Sequence, residues 1–299
     1  MFGLMRRVRS SPCKVNLLLN TLGRRPDGFH ELETLLLPVA WSDELELEAT
    51  GDGATLECDH PEVPCDGRNL VLRAAAAFFA ATGVQAGARF RLTKRIPMAA
   101  GLGGGSSNAA AALRLLNERF GSPLAEAALA GLASSLGSDV PFFLQSEPAI
   151  GRGRGERLEA VGGLRALDGL WLMLVHPGFG VSTPWAYQHL AAFPEMVNGR
   201  PGRAARMAGL LAGGDRPGGL AEAFNSLEAP VLAKYPVLRL YQDFLREMGA
   251  LTALMSGSGS TTFALFGSRE VAEPARTRFL ERFGARCWTA LVPAVVAGP

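Results

Sequence analysis

Cysteine is scarce in this sequence, and long apolar runs are missing. The 299 residues include four cysteines, Cys13, Cys58, Cys65 and Cys287, and no two of them form a C-x-x-C pair. This spacing argues against a zinc site or a disulfide framework and favours reduced thiols. The longest apolar run, AAAAFFAA at 74–81, is too short to cross a bilayer, and arginines interrupt the apolar residues near the N-terminus. We therefore expect a cytoplasmic protein without membrane contact.

An excess of charge of one sign is also lacking. Thirty Lys and Arg residues face 28 Asp and Glu residues, which leaves a formal net charge of +2. Because so small a charge creates no strong overall field, we expect no nucleic-acid partner. An anionic ligand must be recognised by a local site. We expect a monomer or a weak homodimer with a small-molecule substrate.

The order of predicted elements favours an α+β protein. Regular alternation of strand, helix and strand, which a doubly wound parallel sheet requires, is missing. Predicted strands cover 14–20, 44–50, 88–94, 170–177, 261–266 and 287–293, and predicted helices cover 69–83, 108–120, 124–136, 220–234 and 237–248. The Gly- and Pro-rich stretch 198–219 is a candidate mobile loop. We expect two lobes, at 1–160 and 161–299.

A glycine-rich loop, PMAAGLGGGSSN at 97–108, precedes the second predicted helix. It lacks the lysine that follows the last glycine of a Walker A loop, and Ser106 stands where a dinucleotide fingerprint requires glycine or alanine. Glycines nevertheless let backbone N–H groups turn towards an anion, and the N-terminus of a helix carries partial positive charge. Ser106 and Ser107 are candidate ligands for phosphate or magnesium. The alternative is a tight turn or close helix packing.

Two further segments carry candidate polar chemistry. Lys14 and Asn16 are two residues apart in KVNLLLN and therefore share one face of a strand. They form either a buried polar pair or part of an edge strand with the lysine in solvent. Asp139, in LGSDVPFFL, lies between a predicted helix and an apolar stretch that we interpret as a strand. It is either a base towards an alcohol or a capping residue.

Two turns complete the candidate features. RRPDGFHELET combines a Pro-Asp-Gly turn with Phe29 and His30, which suits either a binding site for a ring or an ordinary hairpin. A second glycine-serine loop covers 256–260, and together with the first it would fit a cleft lined from both lobes. GRGRGER at 151–157 is favoured as a hairpin with solvated arginines over an anion site.

Taken together and in this order, these segments resemble the GHMP kinase superfamily, and within it the kinases of non-mevalonate isoprenoid precursor synthesis. The resemblance rests on SPCKVNLLLN, GRRPDGFHELET, RNLVLRAA, KRIPMAAGLGGGSSNAAAAL, LGSDVPFF, GRGRGE, HPGFGVSTPWAY, FNSLE and MSGSGSTTF. It implies a two-lobed α+β fold with the active site in the cleft between the lobes. It also implies transfer of the γ-phosphoryl group of ATP, with Mg²⁺, to a hydroxyl of a substrate that carries a cytidine diphosphate group.

The resemblance assigns roles to individual residues. Lys14 and Asp139 fall on the catalytic pair, with Asp139 as the base and Lys14 holding that carboxylate and the developing charge. The residues implied to bind ATP are Asn69, Lys94, Pro97, Met98, Ala99, Ala100, Gly101, Leu102, Gly103, Gly104, Gly105, Ser106 and Ser107, with Asn69 and Lys94 near the adenine. The residues implied to bind the cytidyl substrate are Asn16, Phe29, His30, Thr183 and Tyr187. Phe29 stands where the family more often has tyrosine, and no metal ligand is assigned.

Three other functions compete with this interpretation. Within the superfamily, a kinase for homoserine, mevalonate or a sugar is possible, but the RPDGFH turn argues against it. A nucleotide-binding paralogue without turnover would have no need of a base at Asp139. A dinucleotide oxidoreductase is disfavoured by the incomplete glycine fingerprint.

Overall fold

The computed structural model describes residues 6–145 and 147–295. The strands are β1 (Arg7–Arg24), β2 (His30–Thr50), β3 (Ala54–Cys58), β4 (Gly87–Thr93), β5 (Ala149–Gly153), β6 (Arg157–Ala160), β7 (Trp171–His176), β8 (Phe224–Asn225), β9 (Thr252–Met255), β10 (Thr262–Phe266) and β11 (Trp288–Pro293). The α-helices are α1 (Leu70–Thr82), α2 (Gly104–Arg119), α3 (Glu126–Leu136), α4 (Thr183–Leu190), α5 (Pro194–Val197), α6 (Arg203–Ala212), α7 (Arg216–Ala221), α8 (Glu228–Lys234), α9 (Val237–Glu247) and α10 (Arg269–Phe283). The α+β class predicted from the sequence is confirmed.

The chain forms two compact units, each built from several segments. The first comprises residues 6–13, 41–96 and 103–145, and the second comprises residues 14–40, 97–102 and 147–295. The long strands β1 and β2 therefore contribute to both units, and the glycine loop passes from the second unit into the first between residues 102 and 103. The two-lobe boundary between residues 160 and 161 stays a prediction.

In the first unit, β4 is the central strand. It pairs antiparallel with the second half of β2, from Glu44 to Thr50, and parallel with β3. Helix α1 packs against α2 and α3. Asn69 caps α1 by accepting the N–H of Val71, and Gly83 ends it at φ +67°, which glycine adopts without strain. Alanines at 109–112 are buried on α2, so neighbouring elements can approach that helix closely.

In the second unit, the turn at residues 25–29 joins β1 to β2. The first half of β2 pairs antiparallel with β5, from Leu32 to Leu36, and β5 forms a hairpin with β6. The hairpin predicted at 151–157 is confirmed. Short β8 pairs parallel with β1 at Leu18 and Leu19.

A separate antiparallel sheet in the second unit has the strand order β11-β7-β10-β9. Helices α9 and α10 contact this sheet, and Tyr241, Leu245, Phe266 and Phe279 belong to the buried core there. In the part of the chain that the structure describes, no helix combines the length and the apolar character needed to span a membrane.

Several predicted boundaries were wrong. The stretch 198–219 is not a loop, because α6 and most of α7 lie within it. Residues Ala204, Met207, Ala208 and Leu211 recur at helical spacing and are buried, and the surrounding glycines and prolines obscured that pattern. The helix predicted over 220–234 is divided into the end of α7, strand β8 and helix α8. Helix α10 was not predicted.

Two corrections affect the candidate site. Helix α2 begins at Gly104 rather than at residue 108, so the last residues of the glycine loop form its first turn. The apolar stretch after Asp139 is not a strand but a short 3₁₀ helix, Pro141–Leu144, which begins with proline. Proline has no backbone N–H to donate to a strand partner, and it suits the first position of a helix.

Candidate active site

Lys14 is buried on β1, with 3% of its surface exposed. Its Nζ donates to the side-chain oxygen of Asn16 at 2.7 Å and to the backbone carbonyl of Gly101 at 2.9 Å. The interpretation of Lys14 as a solvated residue on an edge strand is therefore wrong. These two acceptors fix the direction of the Nζ group, and hydrogen bonds from a charged donor are stronger than those between neutral groups.

The second glycine-serine loop packs against this lysine. The carbonyl of Gly101 also accepts a hydrogen bond from the Ser256 hydroxyl at 3.0 Å. A side chain at Gly101 would place its Cβ 2.0 Å from the backbone oxygen of Ser256, and the φ of +77° is itself unfavourable for other residues. A Cβ at Gly257 would lie 3.3 Å from Lys14 Nζ. Glycine is thus required where the two loops approach each other.

Asn225 and Glu228 hold the second loop in place. The Asn225 amide donates to the carbonyls of Met255 and Gly257, at 2.7 and 2.8 Å. The Glu228 carboxyl accepts from the Met255 N–H and from the Gln242 side chain. Burial raises the pKa of Glu228. These contacts give Asn225 and Glu228 a structural role.

The first turn of α2 presents free backbone donors. Gly103 precedes the helix at φ +71°, and within residues 6–145 and 147–295 no side chain caps this end. The N–H groups of the first turn of an α-helix have no partner within the helix, so this end suits an anion. Ser106 is half-buried here, whereas Ser107 is buried and its hydroxyl accepts from Ser11 at 2.8 Å.

A buried polar network lies beside the first turn of α2. Asp43 accepts from the side chains of Lys94 and Asn108 and from the backbone N–H groups of Arg95 and Ile96. A Cβ at Gly104 would lie 3.1 Å from Lys94 Nζ. Lys94, which the resemblance places near adenine, is therefore paired with Asp43 beside the start of α2. Its contact with the nucleotide stays a prediction.

Asn69 of the predicted ATP site and Asp139 of the predicted catalytic pair lie in the first unit, whereas residues 97–102 of the glycine loop lie in the second. Both polar atoms of the Asn69 amide bond to residues nearby in sequence. Oδ1 accepts from Val71 N–H, and Nδ2 donates to the carbonyl of Pro64. Asp139 is half-buried, between α3 and the 3₁₀ helix. Lys14 belongs to the second unit, so the pairing of Asp139 with Lys14 stays a prediction.

The predicted substrate residues of the second unit form separate contacts. His30 stacks on Tyr187 with ring centres 5.1 Å apart and planes 23° apart, and burial lowers the pKa of His30. Phe29 is 53% exposed, and the guanidinium of Arg154 lies 4.8 Å from its ring centre. The hydroxyl of Thr183 is 2.7 Å from that of Ser258. His30 and Tyr187 are thus brought together, and Thr183 meets the second loop.

Comparison with known proteins places the chain in a family. The model of the GHMP kinases N terminal domain matches residues 69–147, and that of the GHMP kinases C terminal region matches residues 192–285. The 4-diphosphocytidyl-2-C-methyl-D-erythritol kinase of Pelotomaculum thermopropionicum is 43% identical over 267 residues, covering 89% of this chain and 91% of the relative. The enzyme of the same name from Syntrophotalea carbinolica is 38% identical over 280 residues, covering 93% and 96%.

The chain belongs to the 4-diphosphocytidyl-2-C-methyl-D-erythritol kinase family of GHMP kinases. A crystal structure of 4-(cytidine 5'-diphospho)-2C-methyl-D-erythritol kinase is 36% identical, with a TM-score of 0.74 over 95% of this chain and 98% of that one. A homoserine kinase from Cytophaga hutchinsonii has the same TM-score at 19% identity, covering 96% and 93%, which shows a shared fold only. Membership of this family makes the chain an ATP-dependent small-molecule kinase with the GHMP kinase fold.

Sequence reasoning missed several residues that support the family's site. Asp43, Ser11 and Thr34 contact predicted site residues through hydrogen bonds. Asp43 is the one that a pattern could have revealed, because it is a charged residue just before the alternating strand ELELEAT. Ser11 and Thr34 lie in strands without such a pattern, and their partners belong to other elements.

Proposed function

We propose that the chain transfers the γ-phosphoryl group of ATP to the 2-hydroxyl of 4-diphosphocytidyl-2-C-methyl-D-erythritol. The observation that carries this proposal is the buried ammonium of Lys14, fixed by Asn16 and by the carbonyl of Gly101 within the glycine loop. The names of relatives that match most of the chain support the choice of substrate. We also propose that the protein is cytoplasmic, is a monomer or a weak homodimer, and has no nucleic-acid partner.

Lys14 supplies fixed positive charge in this mechanism. Phosphoryl transfer depends mainly on in-line positioning and on neutralising charge on the transferred group. Because Lys14 Nζ is already oriented by two acceptors, it needs little rearrangement when negative charge develops nearby. Asp139 is proposed to accept the proton of the attacking hydroxyl, a contribution of about 10²- to 10⁴-fold for general bases.

The glycine loop and α2 are proposed to hold the ATP phosphates. Uncapped N–H groups at Gly104, Gly105 and Ser106 and the positive end of the helix dipole take the place of a Walker lysine. Magnesium, when bound with ATP, would neutralise phosphate charge. In residues 6–145 and 147–295, no group of three His, Cys, Asp or Glu side chains could hold a metal. The hydroxyl of Ser106, which is half-buried in the first turn, is proposed for such a role.

The cytosine end of the substrate is proposed to meet the aromatic residues of the second unit. His30 and Tyr187 supply a stacked pair with polar edges, and Phe29 supplies an exposed ring. Thr183 and Asn16 are proposed as polar contacts. Aromatic rings favour a flat base by stacking. An imidazole can distinguish cytosine from other bases by hydrogen bonds at the base edge.

A coupled assay for ADP release tests the proposed function. We expect magnesium-dependent turnover with ATP and the cytidyl substrate, and a product whose new phosphate is located on the 2-hydroxyl by ³¹P NMR. Homoserine, mevalonate and galactose serve as competing acceptors in parallel reactions. Turnover with one of these acceptors and none with the cytidyl substrate would overturn the proposal.

A further inference from the structure

We propose that Thr34 is a positioning residue for Lys14 and acts through the amide of Asn16. This inference rests on the proposed function, in which Lys14 supplies charge for phosphoryl transfer. Thr34 lies on β2, is 3% exposed, and accepts a hydrogen bond from Asn16 Nδ2 at 2.8 Å. Asn16 in turn accepts from Lys14 Nζ at 2.7 Å. The three side chains therefore form one chain of hydrogen bonds.

The number of hydrogens on each group determines which group donates and which accepts in this series of hydrogen bonds. The Thr34 hydroxyl has a single hydrogen, which it donates to the carbonyl of Leu18 at 2.6 Å. Towards Asn16 it can therefore act only as an acceptor. A lysine ammonium can act only as a donor. Asn16 satisfies both neighbours in one orientation alone, with its NH₂ towards Thr34 and its oxygen towards Lys14.

Loss of the threonine hydroxyl would remove this constraint. Asn16 is 4% exposed, so water has little access to replace the missing acceptor. The amide NH₂ would be left without a hydrogen-bond partner. An unpaired buried donor destabilises the folded state and is rare in native structures. Rotation of the amide would bring the NH₂ towards the ammonium group, which repels it. In the rotated amide Lys14 loses the acceptor that fixes one of its N–H bonds, and in the unrotated amide that acceptor remains but Asn16 is no longer held by Thr34.

The test replaces the hydroxyl while keeping the volume of the side chain. We expect Thr34→Val to lower kcat by about tenfold to a hundredfold, the effect of losing one hydrogen bond in a network that ends on a charge, with little change in KM for ATP. Thr34→Ser keeps the hydroxyl and should restore kcat to near the wild-type value. Thr34→Cys offers a weak acceptor and should give an intermediate kcat.

Thr262→Val is the matched control. Thr262 is also fully buried in a strand, but its hydroxyl has no hydrogen-bond partner among the described residues. The control therefore makes the same chemical change without breaking a bond. We expect kcat to stay within about twofold of wild type in this variant, since only the contribution of an unpaired hydroxyl is removed.

A double-mutant cycle distinguishes positioning from a general loss of packing. In Asn16→Asp both carboxylate oxygens accept hydrogen bonds, so there is no amide orientation for Thr34 to select. Adding Thr34→Val to Asn16→Asp should therefore lower kcat by much less than Thr34→Val does alone. Additive effects in the cycle would point to packing and would overturn the inference.

The outcomes separate this inference from the proposed function. If the wild-type chain releases no ADP with the cytidyl substrate, the proposed function fails. If wild type is active and Thr34→Val has normal kcat, only the positioning role fails. If Thr34→Val does not fold, the comparison of Thr34→Ser with Thr34→Cys still decides, and equal kcat values in those two variants would contradict the role.

Discussion

At the scale of single residues, chemistry in this chain depends on partners that are distant in sequence. Lys14 could have been a solvated lysine, because a strand pattern does not tell which strand lies at an edge. Its burial follows from the neighbours that β1 acquires, and its orientation follows from Asn16, Gly101 and Thr34. The sequence pattern and the resemblance named the candidate residues. The hydrogen bonds that fix their geometry were not, since each joins separate elements.

Asp139 provides the first test at this scale. Asp139→Asn keeps the shape of the side chain but removes its ability to accept a proton. We expect kcat to fall at least about 10²-fold, the range for a lost general base, while the Kd for ATP changes little. Turnover and calorimetric ATP titration measure the two quantities. Asp168→Asn, at an exposed aspartate, is the control, and near-normal turnover in Asp139→Asn would remove that residue from the mechanism.

His176 provides a second test, on stability. It is buried at the end of β7, its Nδ1 accepts from the N–H of Gly178, and Nε2 has no partner among the described residues. Burial lowers its pKa from 6.5. The unfolded chain therefore binds the proton first as pH falls, and wild type should lose stability below about pH 6.5, by at most about 1.4 kcal/mol per pH unit from this group.

Urea unfolding between pH 8 and pH 5 measures this contribution. His176→Gln removes the titrating group, so its free energy of unfolding should fall less steeply than that of wild type over the acid half of the range. At pH 8 the imidazole is neutral in both folded and unfolded chains, and the difference between the two proteins there gives the effect of packing alone. Parallel curves from pH 8 to pH 5 would show that His176 titrates alike in both states.

At the scale of elements, local periodicity predicted the strands and helices that carry their own signals. Helix α1 has a capping asparagine and a terminal glycine, and both ends were predicted within about one residue. Helix α6 was taken for a loop, because its cap comes from another element. The Glu33 carboxylate on β2 accepts from the N–H groups of Gly202 and Arg203 and from the Asn20 amide. No local rule identifies a helix start whose cap is 169 residues away.

Glu33→Gln tests this distant cap. A glutamine keeps one acceptor oxygen but turns an NH₂ towards donors, so one N–H at the start of α6 loses its partner in a buried place. We expect the free energy of unfolding to fall by about 1–3 kcal/mol, the cost of an unsatisfied buried donor. Urea unfolding measures the change. Glu57→Gln, which alters an exposed ion pair with Arg91, should shift stability by less than about 0.5 kcal/mol.

At the scale of the whole molecule, fold and substrate are separate questions. A homoserine kinase shares this fold at 19% identity with a TM-score of 0.74, so the scaffold alone does not select a substrate. Selection must come from side chains set on that scaffold. We propose that the residues around the RPDGFH turn make this selection, where His30 stacks on Tyr187 and Phe29 is exposed. The turn motif identified Phe29 and His30 because they are adjacent in the sequence, whereas Tyr187 is distant along the chain and came from the family resemblance.

His30→Ala tests whether this aromatic pair recognises the base. If the imidazole stacks with or bonds to cytosine, its removal should raise KM for the cytidyl substrate by about tenfold, within the range of about 1–3 kcal/mol for one base on an aromatic platform. KM for ATP should stay unchanged, because the proposed phosphate site uses other residues. His189→Ala is the matched control: His189 is exposed and stacks on Trp185 with ring centres 4.3 Å apart. Equal effects of the two variants on KM would mean that the turn supports the fold and that cytosine is recognised elsewhere.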